Sequence, residues 1–405
     1  MRVAFISPNY PPEMPEFTRG LAEVGAEVIG VGHDAYEAIS PDVRKYLSGY
    51  VRVPNVLDLD NAARHAAEPL RKLRVDRIEC LWEVGVELAA KLRELVGIPG
   101  QSVEDARAFR DKDIMKLRLE RAGLRVPLHA RATTQAEIHA AAERIGYPLI
   151  VKPIDGAGTR DTHRVDTAQE LDNIVRRVAH LPEVSVEEYI DGEESTYDTV
   201  SIDGVPRFDS IAQYHPRPLI SRTQQWVSPA QIVLRDPHIP QLRDAVEFGR
   251  KVLKAMGMGT GFTHMEWFRK SNGEIVFGEI ASRAPGGRLV DQMNYANDFD
   301  VYREWARAIC WRSFEATVHR RYHVACVFKR AVGTGRITAI HGLQTAQRRL
   351  GGALIVQDLL PVGAHRRDWK QTLLSDGCLI ARHPDYQTTL DLMGVLVNDV
   401  RILAE

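Results

Sequence analysis

Two glutamates flank an Asn-Gly turn, and the turn dictates which residues face one another. Residues 262–270 read Phe-Thr-His-Met-Glu-Trp-Phe-Arg-Lys, residues 274–280 read Glu-Ile-Val-Phe-Gly-Glu-Ile, and Ser271-Asn272-Gly273 separate them. Asn-Gly between apolar runs signals a hairpin, because both residues tolerate φ > 0. With Asn272 and Gly273 alone in the loop, Ser271 pairs with Glu274, and counting outward sets Glu266 opposite Glu279. Directly opposed side chains share a sheet face with Cβ atoms roughly 4.5–5.5 Å apart, where like charges destabilise. Carboxylates that close share a proton or a cation, and a divalent metal is the simplest reason for the pair. The alternative is a pair facing solvent, or a hairpin in another register.

The rest of the composition excludes more than it selects. The chain has 405 residues, enough for two or three domains, with 44% apolar and 26% charged residues. A formal net charge of −1 offers nothing to a nucleic acid or an anionic membrane. Cys80, Cys310, Cys326 and Cys378 are scattered without a CxxC pair, the pattern of reduced cytoplasmic thiols. The apolar run at the N-terminus is too short for a signal peptide. No stretch approaches the ~18 apolar residues of a membrane span.

Arg2–Ser7, a helical stretch to about Val24, the run Ala26–Val31 and the run Arg77–Trp82 predict a Rossmann-like α/β unit ending near Pro99-Gly100. Its first loop, Ser7-Pro-Asn-Tyr-Pro-Pro, has no glycine for a dinucleotide pyrophosphate. Ser102-Val-Glu-Asp105 predicts the cap of a helix running to Gly123, and Thr134-Gln-Ala-Glu137 and Thr167-Ala-Gln-Glu170 open two more. Strands are expected at 148–153 and 184–190. Residues 195–235 read as strands around a long connection at about 214–230, and 236–256 as largely helical. Another helix is expected near 298–311, followed by a β-rich end containing the strand-like 354–356 and a helix at 388–397.

Lys152 ends an apolar strand and precedes the glycine-bearing loop Asp155-Gly-Ala-Gly-Thr-Arg160. A strand lysine is buried only with an anionic partner. Gly156 and Gly158 let backbone N–H groups approach a phosphate, and Thr159 adds a hydroxyl. An ordinary surface loop is the competing reading, since no Gly-Lys-Ser/Thr follows.

The order of motifs carries more. Asp111-Lys112 is followed by Tyr147-Pro-Leu-Ile-Val-Lys-Pro-Ile-Asp-Gly-Ala-Gly158, Val186-Glu-Glu-Tyr-Ile-Asp-Gly-Glu-Glu194, His264-Met-Glu266 and Gly278-Glu-Ile-Ala-Ser-Arg-Ala-Pro-Gly-Gly287. This succession resembles the ATP-grasp superfamily of carboxylate–amine ligases over about residues 98–312, and its last motif is similar to the L-amino acid ligases. The resemblance implies an α/β and α+β chain. A Rossmann-like pre-ATP-grasp domain would span 1–103. A two-lobed ATP-grasp domain would span 104–312, with lobes at about 104–190 and 191–312. A mixed β-rich region at 313–405 would complete the catalytic lobe.

It also implies roles. Lys112 and Lys152 would hold the α- and β-phosphates of ATP, beneath the glycine loop of Gly156, Gly158 and Thr159. Residues 187–190 would be the interlobe hinge, adenine being read by backbone atoms of Glu188 and Ile190 beside Tyr189. Glu187 and Glu194 would contact the adenine or ribose edge. Glu266 and Glu279 would bind magnesium or manganese, and Arg283 would stabilise the transferred phosphoryl group. His264, Arg288 and Arg217 are candidates for substrate contact, against structural or solvated roles for each. The implied partners are a small-molecule carboxylate and an amine, with neither nucleic acid nor membrane, in a cytoplasmic enzyme; related enzymes are often homodimers.

Two departures mark this chain. Ala281 stands where many ATP-grasp enzymes place a metal-binding Asn, leaving Ser282 or water as substitutes. Pro285-Gly286-Gly287 occupies the place of the catalytic Glu of biotin carboxylases, which disfavours that chemistry. The rival readings are a non-catalytic or regulatory ATP-binding protein and an enzyme of other C–N chemistry.

Overall fold

The computed structural model describes residues 1–155, 161–372 and 374–405. Strands Arg2–Ile6, Glu27–Gly32, Leu47–Arg52 and Arg77–Glu79 form a parallel sheet, with the first strand between the second and the fourth. Burial on both faces explains the apolar run over residues 3–6 of the first strand. Val3 and Phe5 pack toward Phe17 and Leu21 of helix Met14–Glu23. Ala4 and Ile6 pack toward helices Leu59–Leu73 and Val86–Val96 on the other face.

This unit is joined to the remainder by a tight helix crossing. Phe17 meets Tyr302 and Trp305 of helix Val301–Trp311 edge-on, with ring centroids 4.8 and 5.1 Å apart. Gly20 makes that approach possible, because a Cβ there would lie 2.7 Å from the Tyr302 carbonyl oxygen. One apolar core therefore runs from Val3 and Phe5 into Phe262, Met293 and Trp305.

Two antiparallel sheets follow. The smaller orders His129–Ala132, Val184–Glu188, Leu149–Pro153 and His163–Val165, with helices Gln135–Ile145 and Ala168–Arg177 packed on one face. Both helices start as expected, on Thr134 with a complete capping box and on Thr167. The larger sheet runs from the glutamate hairpin through Gly192–Ile202, Ala212–His215 and Ala230–Val233 to His323–Phe328, Gly377–His383 and Leu354–Leu359. Strands from beyond residue 313 thus extend the sheet that carries the glutamates. The connection at 214–230 contains a short helix, Pro218–Thr223.

The expected helix from 102 to 123 is two helices, Val103–Ala108 and Lys112–Arg121. Asp111 breaks the run because its carboxylate accepts the amides of Asp113 and Ile114 and restarts the helix. Likewise the helix expected near 298–311 is Val301–Trp311, preceded by a separate helix Leu289–Asn297. Among the described residues no helix is long and apolar enough to cross a membrane.

Candidate active site

Glu266 faces Glu279, but not by the route that residue counting predicts. The turn contains Ser271, Asn272 and Gly273: Lys270 pairs with Glu274 (N–H to O 2.9 Å), and Gly273, at φ +87°, donates to the Lys270 carbonyl at 2.9 Å. The ladder then pairs Arg269 with Ile275 and Trp267 with Phe277, one position out of the expected register. A bulge at Gly278 restores the pairing of Glu266 with Glu279. A Cβ on Gly278 would lie 2.8 Å from the Glu266 carbonyl oxygen, so the bulge needs glycine for space.

Both glutamates line a cavity of about 270 Å³ between the two antiparallel sheets. Tyr214, on the strand Ala212–His215, donates its hydroxyl to Glu266 Oε1 at 3.1 Å. Burial and the Glu266 charge hold the Tyr214 phenol well above its usual pKa, so it remains a donor. His264 stands opposite Asp198 in the ladder, with Nδ1 2.5 Å from Asp198 Oδ1 and Nε2 3.7 Å from Glu266 Oε1. Burial opposes its charge, but the fully buried Asp198 more than offsets this and raises its pKa to about 9. Burial also works against the Glu266 anion, yet His264 and Tyr214 hold its pKa below the ordinary carboxylate value.

Lys112, at the start of its helix, reaches Glu279 Oε2 at 3.4 Å. One turn on, Lys116 is completely buried and donates to Glu187 Oε1 at 2.7 Å, while Lys152 approaches Glu187 Oε2 at 2.9 Å. Ser185 completes the shell on Glu187 with a hydroxyl at 2.7 Å. Burial alone would neutralise these groups. The paired lysines instead drive the Glu187 pKa down, whereas burial brings Lys116 down to about 8. Lys116 was invisible to motif reading, although its position one helical turn from Lys112 was the available signal.

The Glu188 carboxylate accepts from Arg125 Nη2 at 2.9 Å and from the Leu128 amide at 3.0 Å. The Tyr189 ring lies between Arg164 and Arg217, 4.2 and 5.0 Å from their guanidinium carbons. Arg217 also donates to the Tyr189 hydroxyl at 3.0 Å and to the Ile190 carbonyl at 3.1 Å. Its Nε lies 3.4 Å from Glu194, whose pKa burial and the Glu266 charge push up to about 8. Residues 187–190, Glu194 and Arg217 therefore line the same cavity as Glu266, Glu279, Lys112, Lys152, His264 and Arg283. Arg288 lies outside that lining, paired with Asp291 at 2.6 Å and Asp358 at 2.8 Å. Gly156, Gly158 and Thr159 fall outside the described residues.

Arg283 donates Nε–H to Glu83 and Nη1–H to the Ala284 carbonyl at 2.8 Å. Glu83 follows the last strand of the N-terminal sheet, and no motif in the sequence points to it. Ser282, a substitute for the missing Asn, instead donates its hydroxyl to Gln101 at 3.1 Å.

Among the described residues no cluster of three or more His, Cys, Asp or Glu side chains has metal-binding geometry. The two opposed carboxylates, Glu266 and Glu279, are nonetheless of the hard-oxygen type that magnesium prefers.

The model of the ATP-grasp domain matches residues 117–286. An L-arginine-specific L-amino acid ligase of Bacillus subtilis is 28% identical over 244 residues, covering 58% of this chain and 58% of that protein. An alanine–anticapsin ligase of Bacillus subtilis is 26% identical over 261 residues, covering 58% of this chain and 54% of that protein. The matched region thus spans little more than half the length of these curated relatives. The crystal structure of an L-amino acid ligase from Bacillus licheniformis superposes with a TM-score of 0.80 at 19% identity, over 100% of this chain and 98% of that one. N5-carboxyaminoimidazole ribonucleotide synthetase from Thermotoga maritima shares the fold at a TM-score of 0.71 and 18% identity, over 100% of this chain and 99% of that one.

Proposed function

We propose that this chain, an ATP-grasp protein, is an ATP-dependent ligase that joins a carboxylate to an amine, with amino acids as the substrate class. The observation that carries the reading is the opposed pair Glu266 and Glu279 sharing one cavity with Lys112, Lys152 and Arg283. The choice of amino acids as the substrate class rests on the activities of the relatives. The γ-phosphoryl group of ATP passes to a substrate carboxylate oxygen, giving an acyl phosphate and ADP. The amine nitrogen then attacks the acyl carbon, the C–O bond to phosphate breaks, and the amine loses a proton.

Magnesium, when bound at Glu266 and Glu279, supplies charge neutralisation and alignment of the phosphates. The residues of the chain do the rest. Lys112 and Lys152 offer ammonium groups to phosphate oxygens, and Glu187 holds Lys152 in place. Arg283, locked by Glu83, presents its remaining N–H groups to the transferred phosphoryl group. Tyr214 and His264 orient the Glu266 carboxylate, as outer-shell groups do in metal sites.

The direct experiment is ADP and phosphate release over pooled amino acids, with and without a second amine. Release that requires both an acid and an amine supports the reading. ATP binding without ADP release from any mixture would support the non-catalytic reading, which Ala281 favours.

A further inference from the structure

Among the described residues Arg330 is a buried cation without a carboxylate partner, in the cavity that holds the glutamate pair. It lies just beyond the strand His323–Phe328 and is 7% exposed. Its Nη1 donates to the carbonyls of Ser221 at 2.7 Å and Gln224 at 3.0 Å, and its Nε to Ser375 Oγ at 3.4 Å. The Trp369 ring lies 4.6 Å from its Cζ and supports one face of the guanidinium plane. Among the described residues no acid comes within ion-pair distance of it, and Nη2 makes no hydrogen bond. Asp376, whose charge reaches it, already accepts the amides of Ala331 at 2.7 Å and Arg367 at 2.6 Å.

The contrast within the cavity is informative. Arg217 faces Glu194 and Arg283 faces Glu83. Arg330 has only neutral acceptors. A buried guanidinium in such surroundings is short of negative charge, and a planar anion is the group its fork fits best. Burial and the nearby Arg222 also pull its pKa down to about 10, a sign of the same deficit. Gln231 lines the same cavity and donates to the Gly287 carbonyl at 2.6 Å.

We propose that Arg330 anchors the free carboxylate of the amine substrate, so that the nucleophile is an α-amino acid and not a simple amine. The inference rests on the ligase reading, in which the first substrate's reacting carboxylate lies at the Glu266, Glu279 and Arg283 end. The charge left to neutralise at the Arg330 end belongs to the second amino acid. Arg330 makes no bond to the reacting atoms and acts by positioning and selection.

Two measurements test it. In the first, the amine partner of any productive pair from the pooled screen is offered as the free acid and as its carboxamide. The wild type should show a KM about 10- to 100-fold lower for the acid. R330Q should erase that difference while leaving the KM for ATP unchanged, and R330K should keep part of it. If Arg330 only held the Ser221–Gln224 segment, R330Q would impair acid and amide equally, which would overturn the proposal. So would a wild type that accepts both forms alike, or one that is indifferent to the amine's carboxylate and demands a dicarboxylic donor.

The second measurement needs no turnover. Thermal shifts with ADP and magnesium are recorded for each of the common L-amino acids and for their amides. Stabilisation by an acid but not its amide, lost in R330Q while the ADP shift persists, supports the anchor even if the ligase reading fails. Equal shifts from acid and amide, shifts retained in R330Q, stabilisation by phosphoethanolamine in place of amino acids, or no shift from any amino acid contradict it.

Discussion

Arg283 and Glu83 form a half-buried ion pair across a sequence separation of 200 residues, tying the loop after Glu279 to the N-terminal α/β unit. Burial opposes both charges, and each partner restores the other: Glu83 is held below and Arg283 above its ordinary pKa. The pair fixes where the guanidinium sits relative to the glutamates. Glu83→Ala should therefore lower the rate of ADP release by about 10²-fold through misplacement of Arg283. ADP affinity, measured by calorimetry, should stay at the wild-type value. An unchanged rate would mean that Arg283 needs no such anchor.

Glu187 compensates two lysines at once. Lys116 is fully buried, and the Lys152 side chain is 16% exposed. Glu187→Ala leaves both without a carboxylate and should cost about 3–5 kcal/mol, the range for breaking a buried pair from one side. Glu187→Gln, which can still accept, should cost less. Urea denaturation with a shared m-value measures both. Equal stability of the alanine variant and the wild type would remove Glu187 from this role.

Gly278 sets the facing of the glutamates through its bulge. Gly278→Ala places a methyl group 2.8 Å from the Glu266 carbonyl oxygen. The strand must shift, at about 1–3 kcal/mol for overpacking, and Glu279 moves with it. The magnesium concentration for half-maximal ADP release should rise in this variant. An unaltered magnesium requirement would show that the site tolerates the shift.

The strand-to-strand facing of Glu266 and Glu279 was legible because an Asn-Gly turn restricts the register so strongly. The count behind it still contained two errors that cancel: a turn longer by Ser271, and a bulge at Gly278. Neither was visible, since Gly278 reads as an ordinary strand glycine until the Glu266 backbone is seen against it. Capping residues placed the helices at Thr134 and Thr167 well, because a cap is a local interaction. They failed at Asp111, where the cap lies inside what reads as one continuous helix. Motif order brought Lys112, Lys152, Arg283 and the glutamates together. The groups that hold these in place, Glu83, Asp198, Tyr214 and Lys116, stayed hidden. All four lie 52 to 200 residues along the chain from the partners they meet, and the pairing depends on sheet order and domain docking.

His323 offers a test of the sheet away from the site. Its Nδ1 accepts the Arg235 amide at 3.1 Å, and burial, with the Arg235 charge, lowers its pKa to about 4. The folded value lies below the ordinary 6.5. The stability this contributes is therefore present above about pH 6.5 and is lost as pH falls through about 4. The melting temperature should drop over this window, and His323→Gln should shrink the drop. Parallel pH profiles for variant and wild type would refute the assignment.

The paired carboxylates are the centre of the account, and Glu279→Gln probes them with the least disturbance to the fold. With the amino acid pair that the pooled screen identifies, the variant should release ADP about 10²–10³-fold more slowly or not at all, while melting as the wild type does. Undiminished ADP release from Glu279→Gln would contradict the metal role of the pair and the mechanism built on it.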